Sequence, residues 1–247
     1  FRNVTGVQTC ALPICAVIKT AVLKATSGQP NAPDYLPEYC EILGEIKPVD
    51  PKAPVIKFGV NLPTSWNQKA WHIGGQGTNG IVPVDLAAVL RYGQPGFRAG
   101  SPLNATYPPD APTPLGKGYA TFGGDSGHEN PPPAPRGTGP QAPAGSIALE
   151  WEKNEEAWMN YTYQGLQKTK DVAFEIMQRM YGTKSKITYF GGQSNGGRDS
   201  LNTANRFGDE YDGVLGAGPL TFWTGWGLEA ALRVKNQLDP EIGRAHA

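Results

Sequence analysis

Gly192-Gln193-Ser194-Asn195-Gly196 is the segment of this 247-residue chain whose residue types and spacing could carry a covalent reaction. The pattern Gly-x-Ser-x-Gly holds a serine on a sharp turn between a strand and a helix. There its hydroxyl is lifted above the sheet edge and can attack a carbonyl carbon. So tight a turn demands small neighbours, and Gly191, Gly192, Gly196 and Gly197 supply them. The geometry would aim the Asn195 N–H and the start of the next helix at the oxyanion that the attack creates. An ordinary Gly-rich turn capped by a serine is the competing reading. Phosphate binding is a poorer one: a Walker loop needs Gly-Lys-Ser/Thr, and this turn has neither that lysine nor that length.

Acyl transfer also needs a second oxyanion donor from a separate loop, usually after an earlier strand. Trp71-His72-Ile73-Gly74-Gly75-Gln76-Gly77 offers one, because consecutive glycines let backbone amides approach a ligand. Gly75 and Gln76 are the candidate donors, against a plain surface loop as the alternative. The base is harder to place. The hydrolase order is Ser, then Asp or Glu, then His, whereas His72 and His128 both precede Ser194. His128, beside Asp125, reads as structural or substrate-facing, and His72 as packing or capping its loop. The base is therefore expected outside this chain. Trp223 and Trp226 could line an aromatic pocket, although a spacing of three is more often core packing.

The elements needed to hold these residues follow from periodicity. Residues 16–25 (AVIKTAVLKA) read as a short helix. Strand-like runs cover 41–46 and 55–62, the second alternating apolar and polar positions. Strands are also expected at 70–73 and 118–122, and a helix at 82–92. Between 101 and 146 lie 11 of the 23 prolines, so most of that stretch reads as long loops. Residues 155–181 form the clearest helix, with Leu166, Val172, Ala173, Ile176, Met177 and Met180 on one face and Gly182 as its stop. A strand at 186–190, the serine turn, a helix at 196–207 and a strand at 213–215 complete the series. Helix, strand, turn, helix, strand is the rhythm of an α/β fold, a mostly parallel sheet with crossover helices and here a Pro/Gly-rich loop region.

Composition narrows the class. Twenty-two basic residues balance 22 acidic ones with no basic stripe, which disfavours nucleic acid or an acidic membrane surface as partner. No apolar run approaches the roughly 20 residues of a membrane span. Hydrophobic residues make up 39%, enough for a core, and 32 Gly with 23 Pro favour a loop-rich enzyme over a helical bundle. Cys10, Cys15 and Cys40 form no CxxC pair, so their spacing supports neither zinc nor redox chemistry, and no metal ligands are assigned. A Cys15–Cys40 disulfide would suit an exported protein, with two buried free thiols as the alternative.

The ends have a separate origin. Residues 241–246 (EIGRAH) back-translate to a DNA word resembling a sequencing adapter, and 4–14 (VTGVQTCALPI) to its extended reverse complement. Residues 1–14 and 241–247 are therefore set aside from the fold, which leaves 15–240 as the N-terminal part of a catalytic domain. Cys10 and His246 then carry no meaning, and the chain reads as a gene fragment.

Ordered landmarks across 16–240 resemble the tannase and feruloyl esterase family. They are Tyr39-Cys40 with Gly44-Glu45-Ile46, Leu62-Pro63 with Trp66-Asn67, and the glycine loop at 74–77. Gly118-Tyr119-Ala120 leading to Asp125-Ser126-Gly127-His128 follows. The last is Gly192-x-Ser194-x-Gly196-Gly197-Arg198, continued by Phe207, Asp212-Gly213 and Gly216-Ala217-Gly218-Pro219. The resemblance implies an α/β-hydrolase core, a lid after the nucleophile region, a downstream Asp and His, and small aromatic ester substrates such as gallates or ferulates. It also implies a secreted or periplasmic protein, with no cofactor in this chain and Ca2+ in the lid of many members. The chain on its own is then expected to be close to inactive. Gln193 is a departure, since the family places there a Cys disulfide-bonded to one beside the catalytic His. Gln76 is another, at a position usually Gly. Alternatives are an aliphatic esterase or peptidase on the same fold, or a non-catalytic hydrolase-like binding protein.

Overall fold

The computed structural model describes residues 8–9, 15–32, 34–75, 77, 79–82, 112–129, 149–222, 224–225, 227–229 and 231–232. The expected helix at 82–92, most of the Pro-rich stretch, Gln76, Trp223, Trp226, Cys10 and His246 lie outside these residues. Eight strands form one sheet: β1 (Gln8–Thr9), β2 (Ala16–Lys24), β3 (Tyr39–Ile46), β4 (Ile56–Pro63), β5 (Lys69–Ile73), β6 (Ala120–Gly124), β7 (Ile187–Gln193) and β8 (Gly213–Ala217). Their order across the sheet is β1-β2-β3-β4-β6-β5-β7-β8. The sheet is mixed. Pairs from β1 to β4, and β4 with β6, are antiparallel. β6, β5, β7 and β8 run parallel, so their C-terminal ends share one edge.

The segment 16–24 is a strand, not the expected helix. Ala, Leu and Lys favour a helix, but Val17, Ile18, Thr20 and Val22 are β-branched and fit a pleated surface. Pairing with β3 decides the matter: the register runs from Ala16↔Ile46 to Lys24↔Tyr39, with one bulge between Ile18 and Thr20. That register also removes the proposed Cys15–Cys40 disulfide. Lys47 donates to the Cys15 carbonyl at one end of the hairpin, while Cys40 faces Leu23 near the other. Seven residues of strand separate the two levels, about 23 Å at roughly 3.3 Å per residue, whereas a bridge needs Cα atoms about 4.4–6.8 Å apart. Cys40 is a buried thiol whose pKa is raised by burial and then by the Glu41 charge.

The long helix expected over 155–181 is present in three pieces. α1 (Glu155–Met159) is capped by the Asn154 side chain, which accepts from the Ala157 N–H. A π-helical turn, Asn160–Gln164, leads into α2 (Gly165–Tyr181). Gly182 ends α2 at φ 74°, the left-handed position a C-terminal glycine allows. Leu166, Val172, Ala173, Ile176 and Met177 are buried, and Met180 packs against the same core. α2 lies over β4 and β6, and α3 (Asn195–Phe207) over β7 and β8. The main core joins Ile56, Phe58, Val60 and Leu62 of β4 to Phe122 and to the inner face of α2. Among the described residues no helix is long and apolar enough to cross a membrane.

Candidate active site

Strand register brings the two glycine turns together. β5 and β7 are parallel neighbours, with Ile73 opposite Gly191, so both strands release their loops at the same edge. The Gly74 N–H donates to the Gly191 carbonyl at 2.9 Å, continuing the ladder by one residue. Ligand sites of open parallel sheets form outside such C-terminal strand ends.

At that edge β7 turns into α3 through Ser194, whose backbone is at φ 57°, ψ −113°. A non-glycine residue held there is strained by on the order of 1–3 kcal/mol. An ordinary N-cap serine has an extended backbone, and its oxygen accepts an amide from the first helical turn. Ser194 has neither feature: its side chain makes no capping hydrogen bond. Its half-exposed side chain sits on a turn fastened by backbone bonds, from the Ser194 N–H to the Ala217 carbonyl at 2.9 Å and from the Arg198 N–H to the Ser194 carbonyl at 3.1 Å. The capping reading fails on these two points.

The surrounding glycines are there because backbone fills the space a Cβ would need. A Cβ on Gly192 would press into the backbone of Gly196, and one on Gly197 would lie 2.7 Å from the Ala217 carbonyl oxygen. One on Gly196 would meet the Gly75 carbonyl oxygen at 2.5 Å. The glycine loop and the serine turn are therefore in backbone contact.

Of the residues expected around an oxyanion, Asn195 is fully buried at the first position of α3, where a helix leaves its leading N–H groups without intrahelical acceptors. Its side-chain oxygen accepts from the Tyr161 hydroxyl at 3.4 Å. The Gly75 N–H is engaged elsewhere, hydrogen-bonded to the Asp199 carboxylate. Gln76 lies outside the described residues.

Neither histidine hydrogen-bonds to Ser194. His72 is buried under the turn, stacked on Phe122 and edge-on to Phe190, with Nδ1 2.7 Å from the Tyr211 hydroxyl. Burial, then the positive charge of Lys170, pushes its pKa down to about 3, so it stays neutral and packs as expected. His128 is also buried, stacked 4.0 Å from Trp151 and edge-on to Tyr161. Asp125, at the end of β6, accepts from the Lys57 and Gly127 N–H groups, and burial raises its pKa to about 7. Among the described residues no group of three or more His, Cys, Asp or Glu side chains could hold a metal ion.

The parts the residue patterns did not reveal are Tyr161, in the π-helical turn, and Asp199. Arg198 stood only as the end of a motif. Such π turns recur at functional sites, but nothing in the local sequence announces one.

A strand–serine turn–helix unit, a glycine loop against it and parallel strand ends beneath both define an α/β-hydrolase-like core. Solved structures agree: feruloyl esterase B from Aspergillus oryzae superimposes with a TM-score of 0.57 at 19% identity, over 83% of this chain and 34% of that one. Tannin acyl hydrolase from Aspergillus niger gives 0.52 at 17% identity, over 84% and 33%. The chain belongs to the tannase and feruloyl esterase family, whose model matches residues 40–243. An esterase of Agrobacterium fabrum, itself uncharacterized, is 39% identical over 201 residues, 80% of this chain and 31% of that protein. Mono(2-hydroxyethyl) terephthalate hydrolase of Piscinibacter sakaiensis is 25% identical over 206 residues, 82% and 30%. The chain thus spans about a third of the length of these relatives.

Proposed function

We propose that Ser194 is the nucleophile of a secreted or periplasmic serine hydrolase that cleaves aromatic carboxylic esters through an acyl-enzyme. The observation that carries the reading is the Ser194 backbone at φ 57°, ψ −113° on the end of a parallel strand, with no capping bond to account for it. Ser194 Oγ attacks the ester carbonyl while its proton passes to a histidine, oriented by an acidic residue. By the family's chain order both follow Ser194 in sequence. The carbonyl oxygen takes the negative charge and is stabilised by the Asn195 N–H and a second amide from the glycine loop, each donor worth about 2.7–4 kcal/mol. With the Gly75 N–H held by Asp199, Gln76 is the loop residue proposed for that role. Collapse of the tetrahedral species expels the alcohol, protonated by the histidine, and leaves the acyl group on Ser194. Water then attacks the acyl carbon with the same base and frees the acid. Calcium, implied only for a lid, takes part in none of these steps.

Aromatic acyl groups are proposed from the family and from the names of its relatives, which include a terephthalate ester hydrolase and feruloyl esterases. The test uses the complete reading frame that contains this chain, assayed on methyl gallate, methyl ferulate and 4-nitrophenyl butyrate, with Ser194→Ala as control. Preference for the aromatic acids and loss of all turnover in the variant are expected. Equal turnover by the variant would remove the nucleophile, and preference for the butyrate would remove the aromatic acyl group. The 247-residue chain alone is expected to show no turnover above its own Ser194→Ala variant, since neither His72 nor His128 serves as base.

A further inference from the structure

A chain of polar contacts runs from the glycine loop to the first residue of α3. Asp199, in the first two turns of α3, is fully buried. Its Oδ1 accepts from Arg198 Nη2 at 2.8 Å, and the Gly75 N–H hydrogen-bonds to the same carboxylate. The other carboxylate oxygen is buried with no partner among the described residues. Arg198 Nη2 also donates to the Tyr161 carbonyl at 3.0 Å, and its guanidinium lies over the Tyr161 ring at 4.3 Å. The Tyr161 hydroxyl ends the chain on the Asn195 side-chain oxygen at 3.4 Å.

Stability alone does not account for this arrangement. Burying a carboxylate and a guanidinium is costly, and a pair with one oxygen unmet is worse than apolar side chains of the same volume. Burial duly raises the Asp199 pKa, and the Arg198 charge and the Gly75 amide only partly oppose that. What the pair does is geometric. The carboxylate links α3 to the glycine loop at Gly75, whose carbonyl crowds Gly196.

We infer that Asp199, oriented by Arg198, is a positioning residue that fixes the glycine loop against the Ser194 turn and so sets the spacing of the two oxyanion donors. This rests on the reading of Ser194 as nucleophile. Oxyanion donors act mainly in the transition state, so misplacing one lowers kcat and leaves ground-state binding nearly untouched.

The test uses the complete reading frame with Asp199→Ala, Asp199→Asn and Ser194→Ala, assayed on 4-nitrophenyl acetate and normalised to sites counted with a stoichiometric organophosphonate. For Asp199→Ala, kcat should fall about a hundredfold, the scale of a misplacement near 1 Å, with KM within about twofold. Asp199→Asn keeps one accepting oxygen and turns the other into an amide donor, so it should lose only about tenfold in kcat. Wild-type kcat in both Asp199 variants would overturn the inference, as would a loss carried by KM. If Asp199→Ala does not fold, Asp199→Asn decides by itself: unchanged kcat sinks the positioning role. Full turnover in Ser194→Ala would instead bring down the nucleophile and this inference with it, so the two failures are distinct.

Discussion

In β2, β3 and β4 the antiparallel ladders are broken only by the bulge between Ile18 and Thr20, and the strands bury apolar side chains on one face. Their charges sit outside, in pairs such as Lys19–Glu45 and Lys24–Glu41. The parallel half, β5 to β8, is different. Asn79, Ser126 and Ser194 have positive φ in the loops at its C-terminal edge. Buried polar atoms with no partner among the described residues include those of Trp71, His72, Thr121, Asp125, Asn195 and Asp199, and none belongs to β2, β3 or β4. Apart from Asn31 (φ 67°) in the β2–β3 connection, strain and unmet polarity among the described residues gather in the parallel half and the helices against it. Such local violations persist where function retains them, which makes that edge the place to look for chemistry.

The contrast breaks most visibly at Ser194. In the complete protein Ser194→Ala should lower kcat by roughly 10⁵–10⁶, the scale seen when a nucleophile is removed, with little change in the urea midpoint. Phe58→Ala, in the antiparallel half, should do the reverse. Phe58 is 1% exposed at the centre of the core, and its truncation should cost about 3–5 kcal/mol in urea unfolding. Turnover per folded molecule should stay near wild type. If Phe58→Ala lowered that turnover tenfold, the two halves would not be separable.

Asp125 sharpens the comparison through pH. Its folded pKa of about 7 lies above the ordinary aspartate value of 3.8, so the native state holds a proton that the unfolded chain releases first. Its contribution to stability is therefore present below about pH 4 and is lost as pH rises through 7. Asp125→Asn keeps an acceptor for the Lys57 and Gly127 amides without the charge. Relative to wild type it should gain roughly 2–3 kcal/mol between pH 5 and pH 8, measured by urea unfolding at both. A constant difference across that range would show that Asp125 ionises normally.

Gly196→Ala probes the contact between the loops. Its Cβ would meet backbone on the glycine loop, which cannot swing aside as a side chain can. A loss of about 1–3 kcal/mol in stability is expected, with a fall in kcat that Phe58→Ala lacks.

The serine turn and its glycines were legible in the sequence because their constraint is local: a strand, a strained residue and crowding within five positions. The strand expected at 55–62 was legible through its local alternation and is found at 56–63, while the one expected at 186–190 runs on to Gln193. β2 was not, since alanines and lysines favour a helix and only pairing with β3, some twenty residues on, makes 16–24 extended. Long-range register likewise separates Cys15 from Cys40, which no spacing rule could reveal. Asp199 was invisible in a different way. A polar residue one turn into a helix reads as solvated, and its burial depends on Gly75 and Tyr161, each reached only through the tertiary fold.

The smallest effect belongs to the antiparallel half's surface. Lys19 and Glu45 lie 2.8 Å apart across β2 and β3, with the lysine side chain 52% exposed. Water screens such a pair, and ordering two long side chains offsets most of the attraction, so Lys19→Ala should change stability by no more than about 0.5–1 kcal/mol. It should leave kcat of the complete protein unaltered. The Arg198–Asp199 pair has the same N–O distance, 2.8 Å, but is almost wholly buried. Breaking it from the arginine side with Arg198→Ala strands a buried carboxylate, which is worth about 3–5 kcal/mol and is read in the same urea experiment. Two ion pairs of equal length would then differ several-fold in effect, and burial at the site edge is the physical variable that separates them.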